Sequence, residues 1–98
     1  MSGKSRRSKL EIYNDILNAI QIESQQGEVK PTRIQHQSNM SYDKMSKYLK
    51  ELENKKMITI SPIQLTEKGQ KFLKDYEKIK EFLSDMQMEY LKEKSNDD

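Results

Sequence analysis

The 98-residue chain has no cysteine, no tryptophan, one histidine, two prolines and three glycines. Without cysteine there is no disulfide framework, no Cys-ligated zinc or iron–sulfur site and no thiol nucleophile, and one histidine excludes a multi-His metal site. Gly3, Gly27 and Gly69 stand apart from one another, so no glycine-rich loop is available to cradle a phosphate. No apolar run approaches the roughly 18 residues of a membrane span, and the basic stretch Met1 to Lys9 is not followed by an apolar signal segment. The carboxylates Asp75, Glu77, Glu81 and Asp85 are interleaved with Lys74, Lys78 and Lys80, the pattern of a solvated helix face rather than an acid–base pair. The expectation is a cytoplasmic chain that is not an enzyme, with no cofactor, no metal, no small-molecule ligand and no membrane.

The apolar residues amount to 33 % of the chain and the charged ones to 35 %, with a mean hydropathy of −1.06. The net charge is only +2 and the apolar residues recur periodically, which fits one small folded domain. Charge is unevenly spread: residues 1–64 carry eleven Lys or Arg against seven Asp or Glu, and residues 65–98 carry seven against nine. Met1 to Lys9 carries Lys4, Arg6, Arg7 and Lys9 without an acid among them, which reads as a mobile basic arm of the kind that tracks phosphates.

Ser8-Lys9-Leu10-Glu11 is a capping box, and Tyr13, Ile16, Leu17 and Ile20 continue from it as a helical stripe that predicts a first helix running to a left-handed stop at Gly27. Thr32-Arg33-Ile34-Gln35 reads as a second capping box, opening a short helix that ends near Asn39. Ser41 caps a third helix, whose Met45, Tyr48, Leu49 and Leu52 form the buried stripe. Residues 57–61 and 63–66 are β-branched runs on either side of Pro62, a very short β-hairpin with almost no loop. Thr66 caps a last helix of roughly 40 Å, long enough to outrun the domain. Gly69, near its start, permits close approach to the hairpin. Tyr13, Tyr48 and the methionines at 40, 45 and 57 fall on buried stripes, which leaves no stacking platform for single-stranded nucleic acid.

Two helices joined by about three residues, the second amphipathic and basic, form the arrangement of a helix-turn-helix. Once the core stripe is subtracted, Ser41, Tyr42, Lys44, Ser46, Lys47 and Lys50 face outward on the third helix. Lysines there neutralise phosphates, Ser41 and Tyr42 at the helix start lie nearest bases or backbone, and Arg33 on the second helix is a positioning contact. The third helix has no arginine and no Asn or Gln before Asn54, so the bidentate readers of guanine and adenine are missing and sequence preference is expected to be weak. His36 reads as a partly buried or surface histidine rather than a ligand or a switch. Phe72, Tyr76, Ile79, Leu83, Met86 and Tyr90 follow the alternating 4,3 spacing of a heptad seam, which calls for a partner helix and so for a homodimer. Leu73, Phe82 and Leu91 flank that seam, and the near end of the helix is expected to pack on the domain as well. The division is an arm over residues 1–8, a winged domain over 9–70, a dimerisation helix over 71–94 and a disordered tail over 95–98.

Thr32-Arg33-Ile34, Asn39-Met40-Ser41-Tyr42 with Tyr48-Leu49-Lys50-Glu51-Leu52, and Leu65-Thr66-Glu67-Lys68-Gly69-Gln70-Lys71-Phe72-Leu73 together resemble the archaeal winged helix-turn-helix proteins. Among these the chain is most similar to the small chromatin-type proteins of Sulfolobus, over about residues 8–92. The resemblance implies a mainly α fold with a short β-hairpin and a long C-terminal coiled-coil helix. It also implies a dimer paired through an antiparallel coiled coil, with the third helix in the major groove of double-stranded DNA and a nucleoid-associated role in transcription or chromatin. The segment Ile60-Ser61-Pro62-Ile63 is shorter and less basic than the wing of that family, which argues against wing contact with DNA. A second reading, a winged-helix adaptor binding a protein of the transcription machinery, draws on the small net charge and on Glu51 and Glu53 of the third helix.

Overall fold

The computed structural model describes the backbone of residues 7–96 and the side chains as far as Glu89. Four helices and a hairpin follow in the order α1 (Lys9–Ser24), α2 (Pro31–Ser38), α3 (Tyr42–Asn54), β1 (Ile58–Ile60), β2 (Ile63–Leu65) and α4 (Glu67–Asn96). The fold is mainly α with a two-stranded antiparallel wing and a long closing helix, as expected.

The start of α1 is the predicted capping box: Ser8 Oγ accepts from the Glu11 N–H at 3.1 Å, and Glu11 Oε1 accepts from the Ser8 N–H at 2.7 Å. Its stripe Ile12, Tyr13, Ile16, Leu17, Ala19 and Ile20 is buried and forms the centre of the core. The helix stops at Ser24 rather than running to Gly27. The Gln25 and Gln26 N–H groups bond back to the carbonyls of Ile22 and Glu23, three residues earlier, and this tightened last turn satisfies the helix end before Gly27 is reached. Gly27, with φ of 130°, serves the following turn instead.

The start of α2 also differs from expectation. Thr32 is not the cap: the helix begins at Pro31, with Lys30 at the cap position and no side-chain cap bond. Proline has no N–H to satisfy and a φ already suited to the first helical position, so it displaces the Thr32 capping box. The end is as predicted, with Asn39 left-handed (φ 56°) and its N–H bonded to Gln35 O at 2.9 Å. Ser41 caps α3 by accepting from the Lys44 N–H at 3.2 Å.

Ile58 pairs with Leu65, Thr59 with Gln64 and Ile60 with Ile63, which leaves Ser61-Pro62 as the entire turn. Thr59 Oγ1 closes it by donating to Pro62 O at 2.6 Å. Thr66 caps α4, its Oγ accepting from the Gly69 N–H at 3.2 Å while its hydroxyl donates to Lys56 O at 2.6 Å. Ile34, Met45, Leu49, Leu52, Ile58 and Ile63 close over α1 from the other elements. Val29, in the α1–α2 connection, also joins the core, although no periodic pattern marks it.

Only the first turns of α4 touch this core. Phe72 and Leu73 pack against it, and Phe72 meets the Tyr13 ring edge-on at 6.4 Å. Phe72, expected at the start of the dimer seam, is therefore engaged within its own domain. Beyond it α4 extends away, which gives the molecule its 57 Å long axis against 32 and 25 Å.

Candidate nucleic-acid interface

The three buried residues of α3 hold the helix against α1 and the hairpin, and this fixes which side chains point outward. Ser41, Tyr42, Lys44, Ser46, Lys47 and Lys50 are all exposed, as the sequence pattern required. Among the described residues none of the three lysines forms an ion pair, although the Lys47 ammonium lies 5.5 Å from the Tyr48 ring centre. Asp43 is exposed near the start of the helix, where its charge favours the macrodipole.

Glu51 does not stand among these lysines as a free acid. It is half-buried, accepts the Tyr13 hydroxyl at 2.7 Å and lies 3.6 Å from Lys9 Nζ. The Tyr13 hydrogen bond, helped by Lys9, holds its carboxyl below the usual carboxylate range, while burial opposes that shift. Tyr13 responds in the opposite direction: burial first, then the bond and charge of Glu51, push its phenol up to about 12.

Arg33 is exposed over about half of its side chain, but its guanidinium is tied back to α1. Its Nε donates to Glu23 Oε1 at 3.3 Å and a terminal nitrogen to Oε2 at 3.4 Å. Gln37 Nε2 donates to the same carboxylate, on a side chain only 5 % exposed. These partners, Gln37 foremost, hold the Glu23 carboxyl below its ordinary value against the penalty of burial. The sequence does carry a signal for this triad: Glu23 continues the stripe of Ile16 and Ile20, and a charge on an apolar stripe needs partners. His36 and Thr32 are exposed, and with Gln35, Asn39 and Met40 they line an open hollow along α2 and the turn.

Arg7 is placed otherwise than a mobile arm would place it. One terminal nitrogen donates to Asp15 Oδ2 at 2.6 Å and to Ser38 O at 2.9 Å, and the other donates to Asn39 O at 3.1 Å. The arginine thus caps the C-terminal carbonyls of α2 from the chain segment before α1. Arg6 lies outside the described residues.

On α4, Tyr76 stacks on Phe72 at 5.8 Å, at the border of the core. Ile79, Leu83 and Met86 are 54, 57 and 49 % exposed, and Phe82 and Met88 are more exposed still. The Tyr90 side chain lies outside the described residues. Among the described residues no helix is long and apolar enough to cross a membrane.

The family profile described as winged helix-turn-helix matches residues 6–84, a span that runs from the base of the arm through all three helices and the hairpin into α4. No curated protein matches the chain. With α2 and α3 joined by a left-handed turn, a hairpin wing after them and a profile match over most of its length, the chain belongs to the winged helix-turn-helix family.

Proposed function

We propose that the chain is a dimeric double-stranded DNA-binding protein, a transcriptional regulator or chromatin-associated protein that lays α3 in the major groove. The observation that carries this reading is the row Lys44, Lys47 and Lys50 on the outward side of α3, with Ser41 and Tyr42 at its start. Unpaired lysines at that position neutralise phosphates, and the half-exposed Arg33 on α2 adds a contact where that helix crosses the backbone. Arg6 and Arg7 belong to the basic segment that precedes α1. The missing base-reading side chains on α3 favour weak sequence preference, suited to a nucleoid-associated role. The wing ends in Ser61-Pro62 with no basic residue at its tip, so α3 and not the hairpin carries the contact.

Dimerisation through α4 is the second half of the proposal. Exposed Ile79, Leu83 and Met86 continue the heptad spacing beyond the domain, with Tyr90 next in sequence, and Phe72 and Tyr76 lead into the seam from the core. The resemblance to the chromatin-type proteins of Sulfolobus supports an antiparallel pairing of these helices.

The test is fluorescence anisotropy on a labelled random-sequence 30-base-pair duplex across a salt series. Affinity should fall steeply with salt, and Lys44→Ala/Lys47→Ala should flatten the slope by about two units. Absence of binding at 50 mM salt, both to this duplex and to a randomised library, would overturn the DNA reading and leave a protein-binding adaptor.

A further inference from the structure

Glu23 is a buried charge that the contact surface on α3 does not use. It follows Ile16 and Ile20 on the buried stripe of α1, where an apolar side chain would pack without the cost of desolvating a carboxylate. Its side chain is 5 % exposed, whereas its partners Arg33 and Gln37 are exposed residues of α2. Those two stand four apart, on one face of the helix, and the carboxylate lies beneath both. Packing alone gives no reason for an acid at this place.

The geometry of the pair supplies one. A guanidinium has five N–H groups and can offer two of them side by side to one anion. Glu23 takes the inner edge of Arg33: Nε donates to Oε1 at 3.3 Å and Nη2 to Oε2 at 3.4 Å. Both hydrogens of Nη1 and the second hydrogen of Nη2 remain, and the two terminal nitrogens form an outer edge that suits a phosphate. Because the guanidinium is planar and rigid, holding the inner edge also sets the direction of the outer one. Gln37 binds Oε2 as well and so steadies the carboxylate that does the holding. Arg33 nevertheless keeps 54 % of its side chain exposed, so the outer edge stays open to a ligand.

We propose that Glu23 is a positioning residue for DNA contact: it grips Arg33 by the inner edge and aims the outer edge at a phosphate of the duplex. An arginine ordered in advance loses less side-chain freedom when it binds. For its ligand the proposal rests on the DNA-binding reading, whereas the ordering of Arg33 by Glu23 does not. Charge alone predicts the opposite effect on affinity. An acid near the phosphates repels them, so its removal should tighten binding, while removal of a positioning residue should weaken it.

The first measurement needs no DNA. The chain has three arginines, so the full-length protein gives three Nε–H resonances, and the one missing in Arg33→Lys belongs to Arg33. In the wild type the heteronuclear NOE of this resonance should approach that of the α2 backbone amides. In Glu23→Gln, which can no longer offer Arg33 two charged oxygens, it should fall well below them while the amides of α3 keep their chemical shifts. Glu23→Met should do the same, and it guards against a folding defect because a flexible apolar side chain continues the stripe and returns both partners to water. The same NOE in all three proteins would overturn the proposal, whatever becomes of the DNA reading.

The second measurement is the salt series on the random duplex. Arg33→Ala should lower the salt slope by about one, the mark of a single phosphate contact. Glu23→Gln should weaken binding roughly three- to tenfold at fixed salt, and should weaken it no further when added to Arg33→Ala. Unchanged or tighter binding in Glu23→Gln, or an equal loss with and without Arg33, would overturn the proposal. Failure of the wild type to bind either the duplex or a randomised library would instead overturn the DNA reading and with it the phosphate as the ligand of Arg33. The NOE would still decide whether Glu23 orders that side chain.

Discussion

Gly69 lies inside a helix, where replacing glycine by alanine ordinarily stabilises by up to about 1 kcal/mol. Here the sign should reverse. A Cβ at this position would overlap the carbonyl oxygen of Met57, a backbone atom that cannot swing aside. The same carbonyl accepts the Thr66 N–H at 3.0 Å and so ties the start of α4 to the hairpin. Gly69→Ala should therefore cost about 1–3 kcal/mol, read as a lower urea midpoint with an unchanged m-value. Tyr13 supplies a second test at this scale, because its phenol is pushed up to about 12 by burial and Glu51. An unfolded tyrosine ionises near 10, so between pH 10 and about 12 the unfolded chain holds fewer protons than the folded one. The contribution of Tyr13 to stability is thus complete below pH 10 and is lost as pH rises through that window. An absorbance titration of the five tyrosines should show a phenol titrating near pH 12 that Tyr13→Phe removes. Residues of this kind differed in how legible they were. The closeness at Gly69 was expected from an isolated glycine beside a predicted hairpin, whereas the bond from Tyr13 to Glu51 joins positions 38 apart and leaves no local trace.

Among the elements, those set by short-range chemistry were legible and those set by competition were not. The start of α1 is written in four residues, Ser8 to Glu11, and the end of α2 in Asn39, because caps act within one turn. At the start of α2 two local signals competed, and Pro31 prevailed over Thr32. The end of α3 is the least legible, since its left-handed residue is a lysine. The Met57 N–H bonds to Leu52 O and the Lys56 N–H to Glu53 O, both at 2.9 Å, which is the bonding pattern of a Schellman stop with Lys56 at φ 65°. A side chain in that conformation is strained, and the Lys56 side chain forms no hydrogen bond or ion pair among the described residues. Lys56→Gly should raise stability by about 0.5–1 kcal/mol, seen as a Tm increase of a few degrees in a thermal melt. An unchanged or lower Tm would mean that the extra backbone freedom of glycine in the unfolded chain outweighs the relief. The candidate interface follows the same rule. Its α3 row was readable because the buried stripe Met45, Leu49 and Leu52 leaves the lysines only one direction. The Arg7 bonds to Asp15, Ser38 and Asn39 and the triad at Glu23 depend on α1 and α2 lying side by side, which no spacing within either helix expresses.

For the whole molecule the decisive feature is that α4 continues after the domain has ended. Heptad spacing marks a seam from Phe72 onward, but periodicity carries no mark for the point where one helix face passes from its own core to open solvent. Packing places that point near Tyr76: Phe72 touches Tyr13, and Ile79, Phe82, Leu83, Met86 and Met88 are each about half exposed or more. An isolated helix gains little from propensity alone, and in most proteins its stability comes from packing an amphipathic face. The proposed dimer provides that packing by burying Ile79, Leu83 and Met86 against a second copy. Ile79→Asp/Leu83→Asp places two carboxylates in the seam and leaves the core residues of α1 untouched. In sedimentation velocity the wild type should run as a dimer and the double variant as a monomer. Far-UV circular dichroism should report partial loss of helix, while the near-UV signal of Tyr13, Tyr48 and Phe72 persists, because the winged domain has its own core. DNA affinity should fall with the dimer, since two linked heads act at a raised effective concentration and one head does not. A double variant that still sediments as a dimer would remove α4 as the interface, and a wild type that is monomeric at tens of micromolar would remove the dimer itself.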